Sequence, residues 1–270
     1  MPASRHLAAL VRHVTGHDRW AVLQDRPGRW VVRVLGEPRP SVLKFDDRPA
    51  RSEREWAVLA HLADGPASDA APAVLRRGRC PDGIAFLQLE EVPADGPLRP
   101  AAVGTALRAL HTALPERPGG DWPGWFHDFA GEQLARLTRS GDLRPAGAAL
   151  IRARLADLAP RLAVTVHGDL KAEHVRRHGG RVRFIDFADL RAADPLWDLG
   201  VLTLNHPSWT GGLLTGYESS ARPAARSAVA TYRLVRAMSD LTWAQRAAGP
   251  TGGPLRRLHT LIDRAERRTG

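Results

Sequence analysis

The pattern of apolar residues changes near residue 92, and no other feature of the sequence limits the possible folds as strongly. Before this point, β-branched and aromatic runs alternate with turn residues, which predicts strands over 19–24, 29–35, 41–45 and 83–89. A single helix is predicted among them, over 52–62, because Trp56, Leu59 and Leu62 follow helical spacing. Four short strands with one helix cannot account for the whole chain, so the remainder must form a different kind of layer.

Helical spacing dominates the rest of the chain. It predicts helices over 101–114, 126–138, 148–158, 197–204, 224–247 and 254–268. A short β-rich interval between 163 and 185, with a turn at 178–180, interrupts them. The predicted fold class is therefore α+β, with a small β-rich N-lobe over residues 1–92 and a larger helical C-lobe over residues 93–270.

Composition excludes several classes of protein. Apolar residues make up 43 % of the 270 residues, and the 25 glycines bring the total to about half, which is typical of a globular domain. Cys80 is the only cysteine, so the chain is not a disulfide-stabilised scaffold. No apolar run approaches the roughly 20 residues that span a bilayer, and the first residues lack a secretory pattern. We therefore expect a cytoplasmic protein with no membrane partner.

The positive charge of the chain comes almost entirely from arginine. Lysine and arginine total 39 against 29 acidic residues, a formal charge of +10, yet only Lys44 and Lys171 are lysines. GC-rich coding explains the excess of arginine, and it makes the two remaining lysines informative, because a compact ammonium and a planar guanidinium are not interchangeable. The charge is spread along the chain without a nucleic-acid-binding motif, so a nucleic-acid partner is not expected.

Two carboxylates and a histidine follow short apolar strands in the β-rich interval. Asp169 comes after VTVHG, and Asp186 ends VRFID. If these strands pair with each other, both carboxylates emerge at the same end of a hairpin, with His174 at the head of the strand leading to it. Oxygen ligands with one imidazole suit a hard divalent cation such as Mg²⁺ or Mn²⁺.

The order of these motifs resembles that of a known family. HGDLKAEH at 167–174, IDFAD at 185–189 and DPLWDLG at 194–200 look like the aminoglycoside phosphotransferase and choline kinase group, a branch of the protein-kinase-like fold. The resemblance extends over nearly the whole chain. It implies a two-lobed, protein-kinase-like fold and the transfer of the γ-phosphate of ATP or GTP to a hydroxyl group, with Mg²⁺ as the metal.

The resemblance also implies roles for individual residues. Asp169 would be the catalytic base that accepts the proton of the attacking hydroxyl, and Lys171 would approach the γ-phosphate. His174 and Asp186 would hold the metal ions that bridge the phosphates. Asp198 would brace the catalytic loop through hydrogen bonds.

Nucleotide contacts are implied in the first part of the chain. Lys44 would hold the α- and β-phosphates and pair with Glu55 of the predicted helix, with Glu53 as the alternative partner. Glu90 and Val92 would lie in the hinge against which adenine hydrogen-bonds.

The sequence departs from the family pattern at several positions, and the departure at Lys171 leaves the acceptor open. His174 stands where most members have Asn, Ala188 where Gly is usual, and Lys171 is more typical of Ser/Thr protein kinases. A peptide or protein acceptor therefore remains an alternative to a hydroxylated small molecule, and a catalytically idle binding module is a third possibility. Acidic and basic residues are balanced between 115 and 160, which favours a neutral or acidic acceptor over a polycation.

Overall fold

A computed structural model describes residues 2–35, 39–116, 121–159 and 161–267, with side chains from Arg5 onward. These residues form two compact units. The first, which we call the sheet unit, contains the chain up to Leu98 together with Thr112–Pro115 and His174–Asp189. The second, which we call the helical unit, contains Arg99–His111, Glu116–Glu173 and the chain from Leu190 onward.

A five-stranded antiparallel sheet forms the centre of the sheet unit. Its strands are β1 (Trp20–Arg26), β2 (Arg29–Val34), β3 (Ser41–Asp46), β4 (Val74–Arg79) and β5 (Ala85–Glu90), in the spatial order β1-β2-β3-β5-β4. The predicted three-strand meander is confirmed, although the turn expected at 36–40 lies partly outside the described residues. Strand β4 was not predicted, because this edge strand is largely exposed and carries arginines instead of an apolar alternation.

Two helices pack in the sheet unit. Helix α1 (Pro2–Thr15) was not predicted, although Leu7, Leu10, Val11 and Val14 have helical spacing and join the core of the sheet. Arg12 and His13 separate the apolar residues in the sequence, but both are exposed and do not interrupt the buried face of the helix. Helix α2 (Pro49–Ala63) begins three residues earlier than predicted, at a proline in the first helical position.

Four short strands follow later in the chain: β6 (Val164–Val166), β7 (Val175–His178), β8 (Arg181–Phe184) and β9 (Arg191–Ala193). β7 and β8 form the expected hairpin, with Gly179 and Gly180 at positive φ in its turn. The expected pairing of the strand before Asp169 with the strand before Asp186 is wrong. β6 pairs instead with β9, and both lie in the helical unit.

Seven α-helices lie among the described residues of the helical unit. They are α3 (Pro100–Ala113), α4 (Trp122–Arg139), α5 (Pro145–Ala156), α6 (Leu196–Leu202), α7 (Thr210–Glu218), α8 (Pro223–Arg246) and α9 (Gly252–Glu266). All but α7 were predicted. Helix α7 was not predicted, because its glycines lower helix propensity. These glycines allow close packing, since a Cβ at Gly216 would collide with the carbonyl of Ala101. None of the described helices combines the length and apolar character needed to cross a membrane.

Candidate active-site residues

Lys44 is the centre of a buried ionic cluster in the sheet unit. It lies in the middle of β3, paired with β2 on one side and β5 on the other. Its Nζ lies 2.6 Å from Oε1 of Glu55 and 2.8 Å from Oδ1 of Asp186. Burial alone would lower the pKa of Lys44, but the charges of Asp186 and Glu55 more than offset this and raise it. The lysine is therefore held as a cation between two carboxylates.

The structure decides between the two candidate partners of Lys44. Glu55 on α2 is 3 % exposed, contacts Lys44, and also accepts a hydrogen bond from the backbone N–H of Phe187 at 3.2 Å. Glu53 points to the surface, where it pairs with Arg77 at 3.4 Å. Residues two apart on a helix lie on nearly opposite faces, so only one of them can face β3.

Asp186 is surrounded by three positively charged or ionisable groups. Oδ1 accepts from Lys44 and from Nη2 of Arg29, each at 2.8 Å, and Oδ2 lies 3.7 Å from Nε2 of His174. Burial opposes ionisation of Asp186, but Lys44, Arg29 and His174 hold its pKa well below the usual range. Its φ of +69° lies in the left-handed region, which aspartate adopts more readily than most residues.

Arg29 is a functional candidate that the sequence analysis missed. It begins β2 directly after Gly28, which has a φ of +75°. A Cβ at Gly28 would clash with the side chain of Asp47. This turn places Arg29 opposite Asp46 of β3 and within reach of Asp186. In a chain so rich in arginine, no local signal distinguishes Arg29 from the others.

The predicted metal ligands lie close to each other. Among the residues that the structure describes, no group of three or more His, Cys, Asp or Glu side chains could hold a metal. His174 and Asp186 form a pair of donors, and the backbone bond from Ile185 N–H to the His174 carbonyl, at 2.9 Å, keeps their segments together. Magnesium in phosphoryl-transfer sites is held by one or two carboxylates plus phosphates and water, so Asp186 fits such an ion, while the imidazole of His174 is a softer donor beside it.

Asp169 is held by two cations in the helical unit. It follows β6 and Gly168, which has a φ of +86°. Its Oδ1 lies 2.6 Å from Nη1 of Arg236, and its Oδ2 lies 3.0 Å from Nζ of Lys171. A carboxylate oxygen can accept more than one hydrogen bond, so these contacts do not by themselves exhaust its capacity.

Asp198 fixes the backbone that precedes Asp169. This fully buried residue of α6 accepts hydrogen bonds from the N–H groups of His167, at 2.7 Å, and Gly168, at 2.9 Å, and contacts Nε2 of His111 at 3.0 Å. Burial would raise the pKa of Asp198, but the hydrogen bond with His111 and the nearby histidines lower it. The hydrogen bonds expected between Asp198 and this backbone are present, and His111, for which the sequence showed no recognisable pattern, also contacts Asp198.

Arg236 was also missed. Besides Asp169, it contacts Asp240 one helical turn away at 2.8 Å, and Asp240 in turn lies 3.4 Å from Arg257 of α9. Burial would lower the pKa of Arg236, but Asp169 and Asp240 raise it. The sequence shows only the Arg236–Asp240 spacing on α8, which is ordinary for an exposed helix pair.

The two predicted hinge residues differ in what they can offer a ligand. The Glu90 N–H donates to the carbonyl of Ala73, and both Glu90 carboxylate oxygens accept from Arg183, at 3.0 and 2.7 Å, which lowers the pKa of Glu90. Val92 is buried, and its backbone makes no hydrogen bond with any described residue. Val92 therefore has backbone groups to offer, whereas the side chain of Glu90 is engaged.

Comparison with known proteins places this arrangement in a family. The model of the phosphotransferase enzyme family matches residues 9–232. No curated protein sequence matches the chain.

Solved structures agree on the fold. A choline/ethanolamine kinase family protein from Mesorhizobium loti is 21 % identical, with a TM-score of 0.67 over 98 % of this chain and 93 % of that one. The GDP complex of aminoglycoside 2'-phosphotransferase-IIIa is 15 % identical, with a TM-score of 0.73 over 98 % and 99 %. A microcompartment-associated aminopropanol kinase is 20 % identical, with a TM-score of 0.65 over 97 % of each chain.

These likenesses confirm the predicted protein-kinase-like fold. Since the family model covers most of the sequence, the chain belongs to the phosphotransferase enzyme family.

Proposed function

We propose that this phosphotransferase moves the γ-phosphate of a nucleoside triphosphate, ATP or GTP, to a hydroxyl group of a neutral or acidic small molecule. The observation that carries the proposal is the buried cluster of Lys44, Glu55 and Asp186 in a chain of this family. A cation fixed between two carboxylates retains its charge and position, which is what binding of a polyanionic phosphate chain requires.

The nucleotide would be held by the sheet unit. Lys44 and Arg29 supply two fixed positive charges for its phosphates, and the backbone of Val92 supplies hydrogen bonds for its base. His174 and Asp186 would hold Mg²⁺, which when bound neutralises charge on the phosphates. Arg29 extends this assignment, because no glycine-rich phosphate loop is present in the sequence and a guanidinium can replace some of its backbone donors.

The acceptor hydroxyl would be deprotonated by Asp169. Arg236 and Lys171 each hold one oxygen of this carboxylate, and Asp198 fixes the backbone before it, so the base is oriented before the acceptor binds. Lys171 is the more exposed of the two cations. We assign it a second contact, with the phosphoryl group during transfer.

The charge near Asp169 supports a neutral or acidic acceptor. Arg236, Lys171 and Arg257 bring three cations to this region of the helical unit, against Asp169 and Asp240. The cations outnumber these carboxylates by one, so this region does not attract a polycationic acceptor. This distinguishes our proposal from the relatives that act on aminoglycosides.

The proposal is tested by a product screen. The purified protein with Mg²⁺ and either ATP or GTP is incubated with neutral, acidic and polycationic hydroxyl compounds, and the products are weighed by mass spectrometry. We expect a gain of one phosphoryl group on a neutral or acidic compound, absent in Asp169→Asn. Phosphorylation of kanamycin-like polyamines in preference to all others would overturn the acceptor class, and the same products from Asp169→Asn would overturn the assigned base.

A further inference from the structure

A second charged region of the helical unit lies in an open cavity of about 750 Å³. Residues of α5, α7, α8 and α9 line it. The charged residues among those described in the lining are four arginines: Arg154, Arg226, Arg233 and Arg264. Hydroxyl groups of Ser208, Thr210, Ser227 and Thr231 complete the polar lining. No carboxylate is present among the described residues that line the cavity. The volume is in the range of ordinary small-molecule sites.

Three of these arginines lack a charged partner in the described part of the chain. Arg154 contacts the hydroxyl of Ser227 at 3.3 Å, and Arg226 donates to the carbonyl of Ala221 at 2.9 Å. Arg264 makes no ion pair with a described carboxylate, and neither do Arg154 and Arg226. Elsewhere in the same unit, Arg161, Arg236, Arg246 and Arg257 pair with acids, whereas the exposed Arg139 and Arg152 make no ion pair with a described carboxylate.

Arg233 differs from the other three in being buried. It is 8 % exposed, and its guanidinium donates to the hydroxyl oxygens of Thr203 and Thr210, at 2.9 and 2.6 Å for Nη2. These bonds fix its orientation at the wall of the cavity. A guanidinium that is already ordered loses little conformational entropy when it binds an anion.

Helix dipoles explain only part of this arrangement. Arg154 and Arg264 lie in the last turns of α5 and α9, where a cation is favoured by about 0.3–1 kcal/mol. Arg226 lies at the opposite end, near the start of α8, where the dipole disfavours a cation. The first turn of α8 contains no acidic residue, and its N-cap makes no side-chain hydrogen bond. An anion in the cavity would satisfy both the arginines and this helix terminus.

We propose that this cavity binds a small polyanion, a phosphate ester or a polycarboxylate, as a ligand separate from the nucleotide. Guanidinium groups such as those of Arg154, Arg226 and Arg264 carry planar sets of donors, which match the oxygens of phosphate and carboxylate groups. None of the residues assigned to nucleotide, metal or base lines the cavity. The inference therefore stands even if the proposed phosphoryl transfer fails.

The proposal is tested by calorimetric titration of the full chain without metal or nucleotide, at 0.15 M NaCl. Inorganic pyrophosphate and citrate are the two probes, and the stronger one identifies the preferred anion. We compare Arg226→Gln/Arg264→Gln with the matched pair Arg139→Gln/Arg152→Gln, which removes the same charge from exposed helix positions outside the cavity. A third variant, Lys44→Met, removes the central cation of the sheet unit.

We expect saturable binding of at least one probe, weakened about tenfold or more by the cavity pair. The control pair should leave the affinity within about twofold, and Lys44→Met should leave saturable binding in place. The charge-retaining Arg226→Lys/Arg264→Lys should recover part of the loss, which shows that folding is not the cause. The proposal is overturned if neither probe saturates, if the control pair weakens binding equally, or if Lys44→Met alone abolishes it.

Discussion

Asp186 in the sheet unit and Asp169 in the helical unit are both carboxylates in contact with cations, but they are supported differently. Asp186 shares one oxygen between Lys44 and Arg29, and its neighbours come from strands and a helix distant in sequence. Asp169 has one cation on each oxygen, and the backbone directly before it donates hydrogen bonds to the carboxylate of Asp198. The first arrangement concentrates positive charge and suits binding of phosphates and metal. The second orients a single carboxylate and suits proton transfer.

The largest effect on turnover is expected for Asp169→Asn. The amide keeps the shape of the carboxylate but cannot take a proton, and general bases contribute about 10²–10⁴-fold to rate. With the acceptor found in the product screen, kcat should fall by about a thousandfold. Activity above about a tenth of the wild-type value would show that Asp169 is not the base.

A change at Asp186 should alter metal dependence instead. In Asp186→Asn, Mg²⁺ loses a ligand, while Lys44 and Arg29 lose the carboxylate that competes with phosphate. Affinity for ADP should therefore rise several-fold without metal and no longer increase when Mg²⁺ is added. Fluorescence or calorimetric titration with and without Mg²⁺ measures both. An unchanged response to Mg²⁺ would rule out Asp186 as a ligand.

The two lysines provide a matched comparison. Lys44→Arg replaces a buried point charge between Glu55 and Asp186 with a larger planar group, and nucleotide affinity should fall about tenfold. Lys171→Arg makes the same change at a more exposed position, and nucleotide affinity should stay within about threefold. Equal losses of nucleotide affinity in both variants would contradict the assignment of nucleotide binding to the sheet unit.

The smallest of these effects is expected at Arg29. Arg29→Gln should weaken ADP binding several-fold and leave adenosine binding unchanged, because only ADP carries phosphates. The control is Arg33→Gln on the same strand, where the arginine is half-exposed and pairs with Glu91. A loss of affinity for both ligands would indicate a change in the sheet and not a phosphate contact.

Motif order predicted the parts of the candidate site that are marked in the sequence. Lys44 is one of two lysines and lies in a predicted strand, Asp169 and Asp186 stand in short motifs, and Asp198 follows them at a family spacing. Arg29 could not be found in this way, because it reaches a residue 157 positions away and sits among many arginines. Arg236 was hidden for the same reason.

Secondary structure was predicted wherever apolar spacing is regular. Helix α7 was missed because its glycines lower helix propensity. Strand β4 was missed because an exposed edge strand buries no face, so its sequence has no alternation of apolar and polar residues. The pairing of β6 with β9 was missed because three-residue strands carry too little pattern to select a partner. Tertiary packing decides such elements.

The proposed assignment of nucleotide and metal binding to the sheet unit, and of the base to the helical unit, is tested most directly by titrating Mg·ADP into Asp186→Asn and Asp169→Asn in parallel. Both substitutions remove one negative charge and keep the size of the side chain. We predict that Asp186→Asn weakens Mg·ADP at least tenfold, by about 1.4 kcal/mol or more, while Asp169→Asn stays within about threefold of wild type. Equal weakening in the two variants, or loss in Asp169→Asn alone, would contradict the assignment of nucleotide and metal to the sheet unit and of the base to the helical unit.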